Sequence, residues 1–309
     1  MKLNEAQKQR LGELLLFKHL ITAIYPNGIA SLVSDTWDFW NIVNPDGGIC
    51  ATLKDVIMAR DGKVVIRPDS GDPVKIVTGY TYKEVNSLYH PPIFQEDAER
   101  IIYKDDGKVY EYDVVESNKS QAPRWKESKT TILEVKGMIQ CLWEIFGGTV
   151  SSTGFKQLDS HIGAIYGDSI TLERATQICE RLAAKGFAST NLVYGIGSFT
   201  YQGAVTNDAI ITRDTHGFAV KSTYGEVLVD GERKGIEIFK DPKTDDGLKK
   251  SAKGLIAVYE DGNDGGFVME DQVAWNEVMT CAFNKVFSNG VLTKDQTLAE
   301  IRARVATQF

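Results

Sequence analysis

The sequence lacks any hydrophobic run near the roughly 18 residues that cross a bilayer, and its amino-terminal segment is polar. It also lacks an excess of positive charge, because 35 basic and 42 acidic side chains give a net charge of −7. We therefore expect no signal peptide, no membrane partner and no nucleic-acid partner. With 42% hydrophobic and 10% aromatic residues, the chain has enough apolar surface to fold.

Cysteine and histidine are scarce. The four cysteines form no Cys-x-x-Cys pair, which favours buried thiols in a reducing cytoplasm over disulfides or a zinc site. None of the four histidines has a partner at triad or ligand spacing. The motifs of serine hydrolases, zinc proteases, dinucleotide-binding oxidoreductases and P-loop NTPases are also missing, so these enzyme classes are poor interpretations.

Short apolar strands, each ending in a turn rich in Gly, Asp or Ser, occur four times. The pattern predicts strands at 29–33, 63–67, 161–166 and 192–194, with helices in between. Such strands are typical of parallel βα units, whose reactive groups collect at the carboxyl ends of the strands. We therefore predict part of an α/β barrel-like domain.

The domain organisation is predicted from where this alternation of strands and helices begins and ends. Residues 1–17 begin a helix that runs over residues 5–25, and residues 18–79 and 135–205 carry the barrel portion. Residues 80–134 are predicted to be an insertion with a hairpin that turns at Asp106-Gly107. The remainder, 206–309, is predicted to be a β-rich unit with closing helices over 277–286 and 297–305.

The strand ends hold the candidate functional residues. Arg67 and Asp69 lie two residues apart, where they form either a binding pair for a sugar phosphate or an ion pair that pins a turn. Asp168 precedes a helix, so an N-cap role competes with ribose binding. Gly197 and Ser198 end the fourth strand, where bare backbone N–H groups can hold a phosphate.

Six motifs in a fixed order resemble those of nicotinamide phosphoribosyltransferases, especially the bacterial and phage-type members. The resemblance runs from about residue 18 to the end of the chain, apart from 80–134. The motifs are SLVSDTWD (31–38), VIRPDSGDP (65–73), IYGDSI (165–170), YGIGS (194–198), TRD (212–214) and IFKDP (238–242).

The resemblance implies a type II phosphoribosyltransferase fold, which is an irregular α/β barrel with a β-rich companion domain. It implies a cytoplasmic homodimer with sites at the interface. The implied pentosyltransferase reaction joins nicotinamide to 5-phosphoribosyl-1-pyrophosphate (PRPP), with Mg²⁺ as cofactor. The products are nicotinamide mononucleotide and pyrophosphate, so the enzyme would serve the synthesis and salvage of NAD.

The same resemblance implies roles for residues near the base. Arg67 would contact the nicotinamide amide, and Asp69 would stand near the base and the ribose. Ser31 would line the pocket. Asp35 would orient the catalytic histidine of the family.

Other residues are implied to hold the sugar phosphate. Gly167 and Asp168 would bind the ribose hydroxyls. Gly197 and Ser198 would hold the 5′-phosphate through backbone N–H groups, although the family usually has a glycine where Ser198 stands. Two cations from the partner subunit would meet the phosphates of the sugar donor: Arg213 and Lys221.

The family's catalytic histidine lies in a Glu-His-Ser motif that this sequence does not contain. The resemblance therefore implies an incomplete barrel, the carboxyl-terminal portion of the enzyme, which needs a separate amino-terminal half chain for activity. Two alternatives stay open at this point. One is a non-catalytic remnant that binds a ribose phosphate or a partner chain, and the other is a relative that acts on nicotinate.

Overall fold

The computed structural model describes residues 3–80, 101–105, 108–112, 126–127, 129–167, 169–197, 204–206, 209–211, 221–244, 250–261 and 266–307. The chain divides into two compact units. The first comprises residues 1–219 and 241–249, and the second comprises residues 220–240 and 250–309. No helix among the described residues is both long and apolar enough to span a membrane.

The first unit contains helices on one side of a short parallel sheet. Its helices are α1 (Glu5–His19), α2 (Phe39–Val43), α3 (Ile49–Thr52), α4 (Lys54–Met58), α5 (Pro73–Thr78), α6 (Ile132–Lys136), α7 (Met138–Phe146) and α8 (Leu172–Ala184). Its strands are β1 (Asn27–Val33), β2 (Asp61–Arg67), β3 (Ile101–Asp105), β4 (Lys108–Tyr112), β5 (Lys126–Glu127), β6 (Gly148–Val150), β7 (Lys156–Leu158), β8 (Ile162–Tyr166), β9 (Leu192–Tyr194), β10 (Ala204–Thr206) and β11 (Ala209–Ile211).

The first helix begins at a reciprocal cap. The Gln7 amide donates to the Asn4 side chain at 2.9 Å, and the Asn4 amide donates to the Gln7 side chain at 3.0 Å. The helix continues into a π-helical turn over Leu20–Ile24. The buried Arg60 guanidinium satisfies the carbonyls at the end of this turn and beyond it, those of Ile21, Tyr25 and Gly28.

The central sheet has the strand order β1-β2-β8-β9, and every neighbouring pair is parallel. Its register places Val33 beside Arg67, and Tyr166 beside Tyr194. The predicted parallel βα arrangement is therefore confirmed for these four strands. Among the described strands, β1 and β9 are the two edges of an open sheet.

The two faces of this sheet differ in burial. One face packs against the helices through buried side chains such as Leu32, Ile66 and Tyr166. On the other face, Ile29 is 75% exposed and Val193 is 59% exposed. Strands of parallel sheets are normally covered on both faces, so this open apolar face is unusual.

The insertion predicted over 80–134 contains a small antiparallel sheet. β3 pairs with β4 from Ile101 opposite Tyr112 to Asp105 opposite Lys108, and β5 pairs with β4. The predicted turn at Asp106-Gly107 lies outside the described residues.

The second unit consists mainly of β-hairpins. Its elements are β12 (Tyr224–Val229), β13 (Glu232–Glu237), β14 (Ile256–Glu260), β15 (Phe267–Asp271), α9 (Trp275–Thr280), β16 (Phe287–Ser288), β17 (Val291–Leu292) and α10 (Leu298–Ala306). The helix predicted over 277–286 is thus shorter than expected, whereas α10 lies close to the predicted 297–305. Ala257 is the one buried hydrophobic side chain among the described residues of this unit.

Candidate functional site

The carboxyl ends of the four parallel strands meet at one edge of the sheet. Asp35 follows β1, Asp69 follows β2, Gly167 follows β8 and Gly195 follows β9. Because the strands are parallel and in register, these positions are neighbours. We call this set of loops the carboxyl edge.

Asp35 joins the first two loops of the carboxyl edge. Its side chain is fully buried, and its Oδ2 accepts a hydrogen bond from the Asp69 amide at 3.0 Å. The preceding Ser34 amide donates to the Arg67 carbonyl at 2.9 Å. The loops after β1 and β2 are therefore held together by both side-chain and main-chain hydrogen bonds.

Arg67 lies between Asp69 and Gly167. Its Nη2 is 3.5 Å from Asp69 Oδ1, and both side chains keep a substantial exposed fraction, 41% and 29%. A Cβ atom at Gly167 would lie only 3.4 Å from the same Nη2, so the guanidinium packs against the glycine backbone. The ion pair predicted as one alternative is present, and its exposure leaves both groups accessible to a ligand.

The loops after β8 and β9 approach each other closely. The Gly195 amide donates to the Tyr166 carbonyl at 2.7 Å. A Cβ atom at Gly195 would lie 2.5 Å from the Gly167 Cα, so only glycine fits there without moving the backbone. At Gly197 a Cβ atom would meet nothing within 4 Å. This loop therefore offers open backbone beside Gly167.

Tyr166 fixes the turn after β2, a role that the sequence interpretation missed. Its buried hydroxyl lies 2.9 Å from both the Ser70 carbonyl and the Gly71 carbonyl, and so can donate to either. The strand pattern identifies Tyr166 as a buried position, but it gives no sign of which loop the hydroxyl reaches.

A segment far along the chain also contacts the carboxyl edge. Lys243 Nζ lies 2.6 Å from Asp38 Oδ2, and the Lys243 amide donates to the Trp37 carbonyl at 2.9 Å. The hydroxyls of Thr244 and Ser70 are 2.7 Å apart. The sequence interpretation identified only the adjacent motif at 238–242, and gave it no role.

Carboxylates near the first loop interact with one another. The pKa of Glu13 is raised to about 7, first by burial and then by the negative charges of Asp38 and Asp35. Glu13 is nearly buried on α1. Sequence analysis did not single it out, because one acidic residue on a polar helix gives no signal.

The other candidate residues are placed differently. Ser31 lies on the exposed face of β1, opposite Val65 of β2. Lys221 belongs to the second unit. Three candidates, Asp168, Ser198 and Arg213, lie outside the described residues.

The predicted alternative for Asp168 was an N-cap. The N-cap of α8 is Thr171, whose side chain accepts from the Arg174 amide at 3.2 Å. The capping of α8 therefore gives no reason for an aspartate at position 168.

The prediction of buried thiols is confirmed for Cys50 and Cys141, whereas Cys179 and Cys281 are half-buried. All four cysteines are free, and burial raises the pKa of Cys50 and of Cys141 to about 12. Within the described ranges, no three Asp, Glu, His or Cys side chains gather closely enough to hold a metal ion.

One concave region of the structure lies outside the carboxyl edge. It is a cavity of about 720 Å³ between α7 and the ends of α5 and α8. Its lining includes Trp143, Lys156, Arg181 and Phe187. None of its lining residues belongs to the carboxyl edge, so the two regions are alternative locations for a ligand.

Comparison with known proteins gives consistent matches. The model of the nicotinate phosphoribosyltransferase (NAPRTase) family matches residues 4–291. A nicotinamide phosphoribosyltransferase of Acinetobacter baylyi is 42% identical over 304 residues, which is 96% of this chain and 48% of that protein.

Two further curated proteins with the same name are more distant. The one from Mycoplasma pneumoniae is 33% identical over 80% of this chain and 43% of its own length. The one from Xanthomonas campestris is 29% identical over 95% of this chain and 48% of its own length. The chain thus spans about half the length of the curated relatives that it matches.

Proposed function

The chain belongs to the nicotinate phosphoribosyltransferase family, and from this membership we propose that it is part of a pentosyltransferase of NAD salvage. The proposed reaction transfers the phosphoribosyl group of PRPP to nicotinamide, giving nicotinamide mononucleotide and pyrophosphate. Nicotinamide is favoured over nicotinate as the substrate because the matched curated relatives are named nicotinamide phosphoribosyltransferases.

One observation carries the proposal. Asp35, Arg67, Asp69 and Gly167 occupy one edge of a parallel sheet: Asp35 accepts from the Asp69 amide, Asp69 pairs with Arg67, and Arg67 packs against Gly167. Ligands of open α/β sheets bind at this end of the strands. The edge combines a fork of cationic donors, carboxylate acceptors and open glycine backbone, which are the groups that a nucleotide-like ligand needs.

Arg67 and Asp69 are proposed to meet the base and the ribose. The guanidinium has Nε buried without a hydrogen-bond partner among the described residues, and its exposed end can donate to the carboxamide oxygen of nicotinamide. Asp69 can accept from the ribose hydroxyls. Asp35 orients Asp69 through its amide, and Ser31 is proposed to line the pocket on the exposed sheet face.

The glycine loops are proposed to hold the sugar phosphate. Gly167 and Asp168 would bind the ribose hydroxyls, and the amides of Gly197 and Ser198 would bind the 5′-phosphate. The open space at Gly197 supports this role, since backbone N–H groups can bind phosphate without a positive side chain. Arg213 and Lys221 are proposed, from the resemblance alone, to meet the donor phosphates of a partner subunit in a homodimer.

The proposed catalysis is electrostatic. As the bond from the ribose to pyrophosphate breaks, positive charge develops on the sugar ring, and the Asp69 carboxylate stabilises it. Asp35 holds the backbone of Asp69 through the hydrogen bond to its amide, and so helps to place that carboxylate. Arg67 holds the incoming base, so that binding supplies the orientation that the displacement needs.

Mg²⁺ is proposed to bind with PRPP rather than to the protein alone. The described residues contain no group of three or more metal-binding side chains, and Mg²⁺ commonly keeps its waters and uses substrate phosphates as ligands. When bound, it would neutralise charge on the departing pyrophosphate. Every other step above is assigned to residues of this chain.

The open sheet is proposed to be part of an irregular α/β barrel. Its exposed apolar face and its two free edges, β1 and β9, are the surfaces that further parallel strands would cover. The relatives contain about as much sequence again outside the match. We propose that this remaining part, in the same polypeptide or as a separate amino-terminal half, completes the site in the cytoplasm, where free thiols persist.

The test is an assay of nicotinamide mononucleotide formation from nicotinamide and PRPP. It uses the chain alone and the chain combined with the unmatched half of the Acinetobacter baylyi relative. We expect turnover in at least one of these, and a loss of about 100-fold or more in Arg67→Ala and Asp69→Ala. The control is Arg233→Ala, since Arg233 is largely exposed and pairs with Glu226 at 3.2 Å.

The other outcomes separate the alternatives. Turnover with nicotinate but not with nicotinamide would reassign the substrate. Binding of nicotinamide mononucleotide without turnover in either combination would indicate a non-catalytic remnant. An absence of both binding and turnover would contradict the proposal.

A further inference from the structure

The segment 241–244 interrupts the second unit in sequence and belongs to the first unit in space. It carries Lys243 and Thr244, which contact the loops after β1 and β2. These loops are the ones that hold Asp35 and Asp69. The contacts join residues 174 and 205 positions apart in the chain, so they do not follow from local sequence.

We propose that Thr244 and Lys243 are positioning residues that fix the loops carrying Asp35 and Asp69 relative to each other. Neither residue is proposed to touch a substrate. An effect of these residues on catalysis rests on the proposed function. Their effect on the positions of the two loops does not.

The contact of Thr244 with Ser70 is the stronger part of this arrangement. Ser70 is 1% exposed, and the Thr244 hydroxyl, at 2.7 Å, is the partner of its hydroxyl. A buried hydroxyl without a partner is costly, so this pair favours one position of the turn. Ser70 directly follows Asp69, so the position of this turn also sets the backbone position of Asp69.

The backbone of the segment also packs against the turn. Gly71 has a φ of +83°, and a Cβ atom there would lie 2.7 Å from the Thr244 carbonyl oxygen. The turn is therefore held from two sides, by Thr244 on one and by the Tyr166 hydroxyl on the other. Glycine at 71 permits both the left-handed turn and this close approach.

Lys243 acts on the other loop. Its ammonium pairs with Asp38 at 2.6 Å, and its amide donates to the Trp37 carbonyl at 2.9 Å. The ammonium is 71% exposed, so the ion pair contributes little stability by itself. The ion pair also offsets the negative charge of Asp38, which together with that of Asp35 acts on Glu13.

The first measurement is hydrogen exchange of the amides of residues 69–72 in the full chain without ligand. We expect Thr244→Val to speed their exchange by about tenfold, because the Ser70 hydroxyl loses its partner. Thr244→Ser keeps the hydroxyl and should restore the wild-type rate. Thr280→Val is the control, since the Thr280 hydroxyl bonds only within its own helix.

The Lys243 contact is tested in the same way on residues 36–39. Lys243→Met should speed exchange there, and Lys243→Arg should restore it. Lys8→Met is the matched control, because Lys8 makes a surface pair of similar length, 2.7 Å, with Glu5. Exchange within twofold of wild type in the Thr244→Val, Lys243→Met double variant would overturn the proposal.

The effect on catalysis is measured on the chain alone or on the chain combined with the other half, whichever shows turnover. If Thr244 is a positioning residue, Thr244→Val should lower kcat by about tenfold or more, and Thr244→Ser should restore it. If its role is purely structural, Thr244→Val should lower the amount of folded protein and leave kcat unchanged. If wild type shows neither turnover nor ligand binding, the proposed function fails. Even then, hydrogen exchange of the amides of residues 69–72 decides whether the segment 241–244 fixes the turn after β2.

Discussion

Glu13 lies in an environment that makes the free energy of unfolding depend on pH. Its folded pKa is about 7, against an ordinary value of 4.5. Between pH 4.5 and pH 7, the Glu13 carboxyl group keeps its proton in the folded chain and has lost it in the unfolded chain. The contribution of Glu13 is therefore fully present below pH 4.5 and is lost as the pH rises through 7.

We predict that this loss amounts to about 3 kcal/mol of unfolding free energy between pH 4.5 and pH 8, because each unit of pKa shift corresponds to about 1.4 kcal/mol. Glu13→Gln cannot ionise and should remove this dependence. Urea unfolding of both proteins at a series of pH values measures it. Equal pH dependence in the two proteins would show that Glu13 does not titrate in this way.

Tyr166 is the second residue with a specific expected effect. Removing its hydroxyl in Tyr166→Phe takes the donor away from the Ser70 and Gly71 carbonyls, and the ring still fills the core. We predict a loss of about 1–2 kcal/mol in urea unfolding. Tyr25→Phe, at an exposed side chain, is the control and should change stability by less than about 0.5 kcal/mol. A similar loss in both variants would contradict this role.

At the scale of elements, Lys185 holds two helix ends together. It lies just after α8, and its ammonium donates to the Thr78 carbonyl at the end of α5. It also donates to the Val135 and Lys136 carbonyls, at 3.1 and 3.0 Å, at the end of α6. Burial lowers its pKa to about 8. The ammonium thus satisfies carbonyls that the helices leave without partners.

Lys185→Met should therefore destabilise the chain. We predict a loss of about 2–3 kcal/mol, since hydrogen bonds from a charged donor are replaced by an apolar group beside half-buried carbonyls. Lys54→Met, at an exposed position of α4, is the control. Thermal or urea unfolding at pH 7 measures both, and a loss below about 0.5 kcal/mol in Lys185→Met would contradict the role.

The sequence predicts elements better than it predicts contacts between them. Four continuous apolar runs predicted the strands of the parallel sheet, and Thr171 with Leu172 predicted the start of α8. These signals are local, so one sequence carries them. The partners of Tyr166, Lys185 and Thr244 depend on which loops become neighbours, and no local pattern contains that information.

The same limit applies to the candidate site. The position of Arg67, Asp69 and Gly167 at one edge follows from three strand ends and the rule for parallel sheets. The position of Glu13 near Asp35 and Asp38 does not follow from such a rule, because Glu13 lies on α1 and its surroundings depend on how that helix packs. The motif at 238–242 was given no role, and Lys243 and Thr244, which directly follow it, contact the loops after β1 and β2.

At the scale of the whole molecule, the parallel sheet buries one face against described helices, whereas residues on its other face are exposed. The sequence could not predict which face is open, because the strands are apolar on both sides. Ile29 and Ile66 form a matched pair on neighbouring strands, the first 75% exposed and the second fully buried.

This difference makes a direct prediction for the chain alone. Ile66→Ala should cost about 2–5 kcal/mol of unfolding free energy, whereas Ile29→Ala should cost less than about 0.5 kcal/mol. Urea unfolding compares the two. Equal costs would mean that the face carrying Ile29 is covered in solution.

The central claim is that the carboxyl edge, and not the 720 Å³ cavity, holds a phosphorylated pentose. Hydrogen exchange with and without nicotinamide mononucleotide tests this claim most directly. The sample is the chain alone or the chain combined with the unmatched half of the Acinetobacter baylyi relative, whichever binds this ligand more tightly. The account predicts slower exchange of the amides at 67–71 and 195–197, with no change at 140–146 and 181–187. Slower exchange around the cavity with none at the carboxyl edge would contradict it.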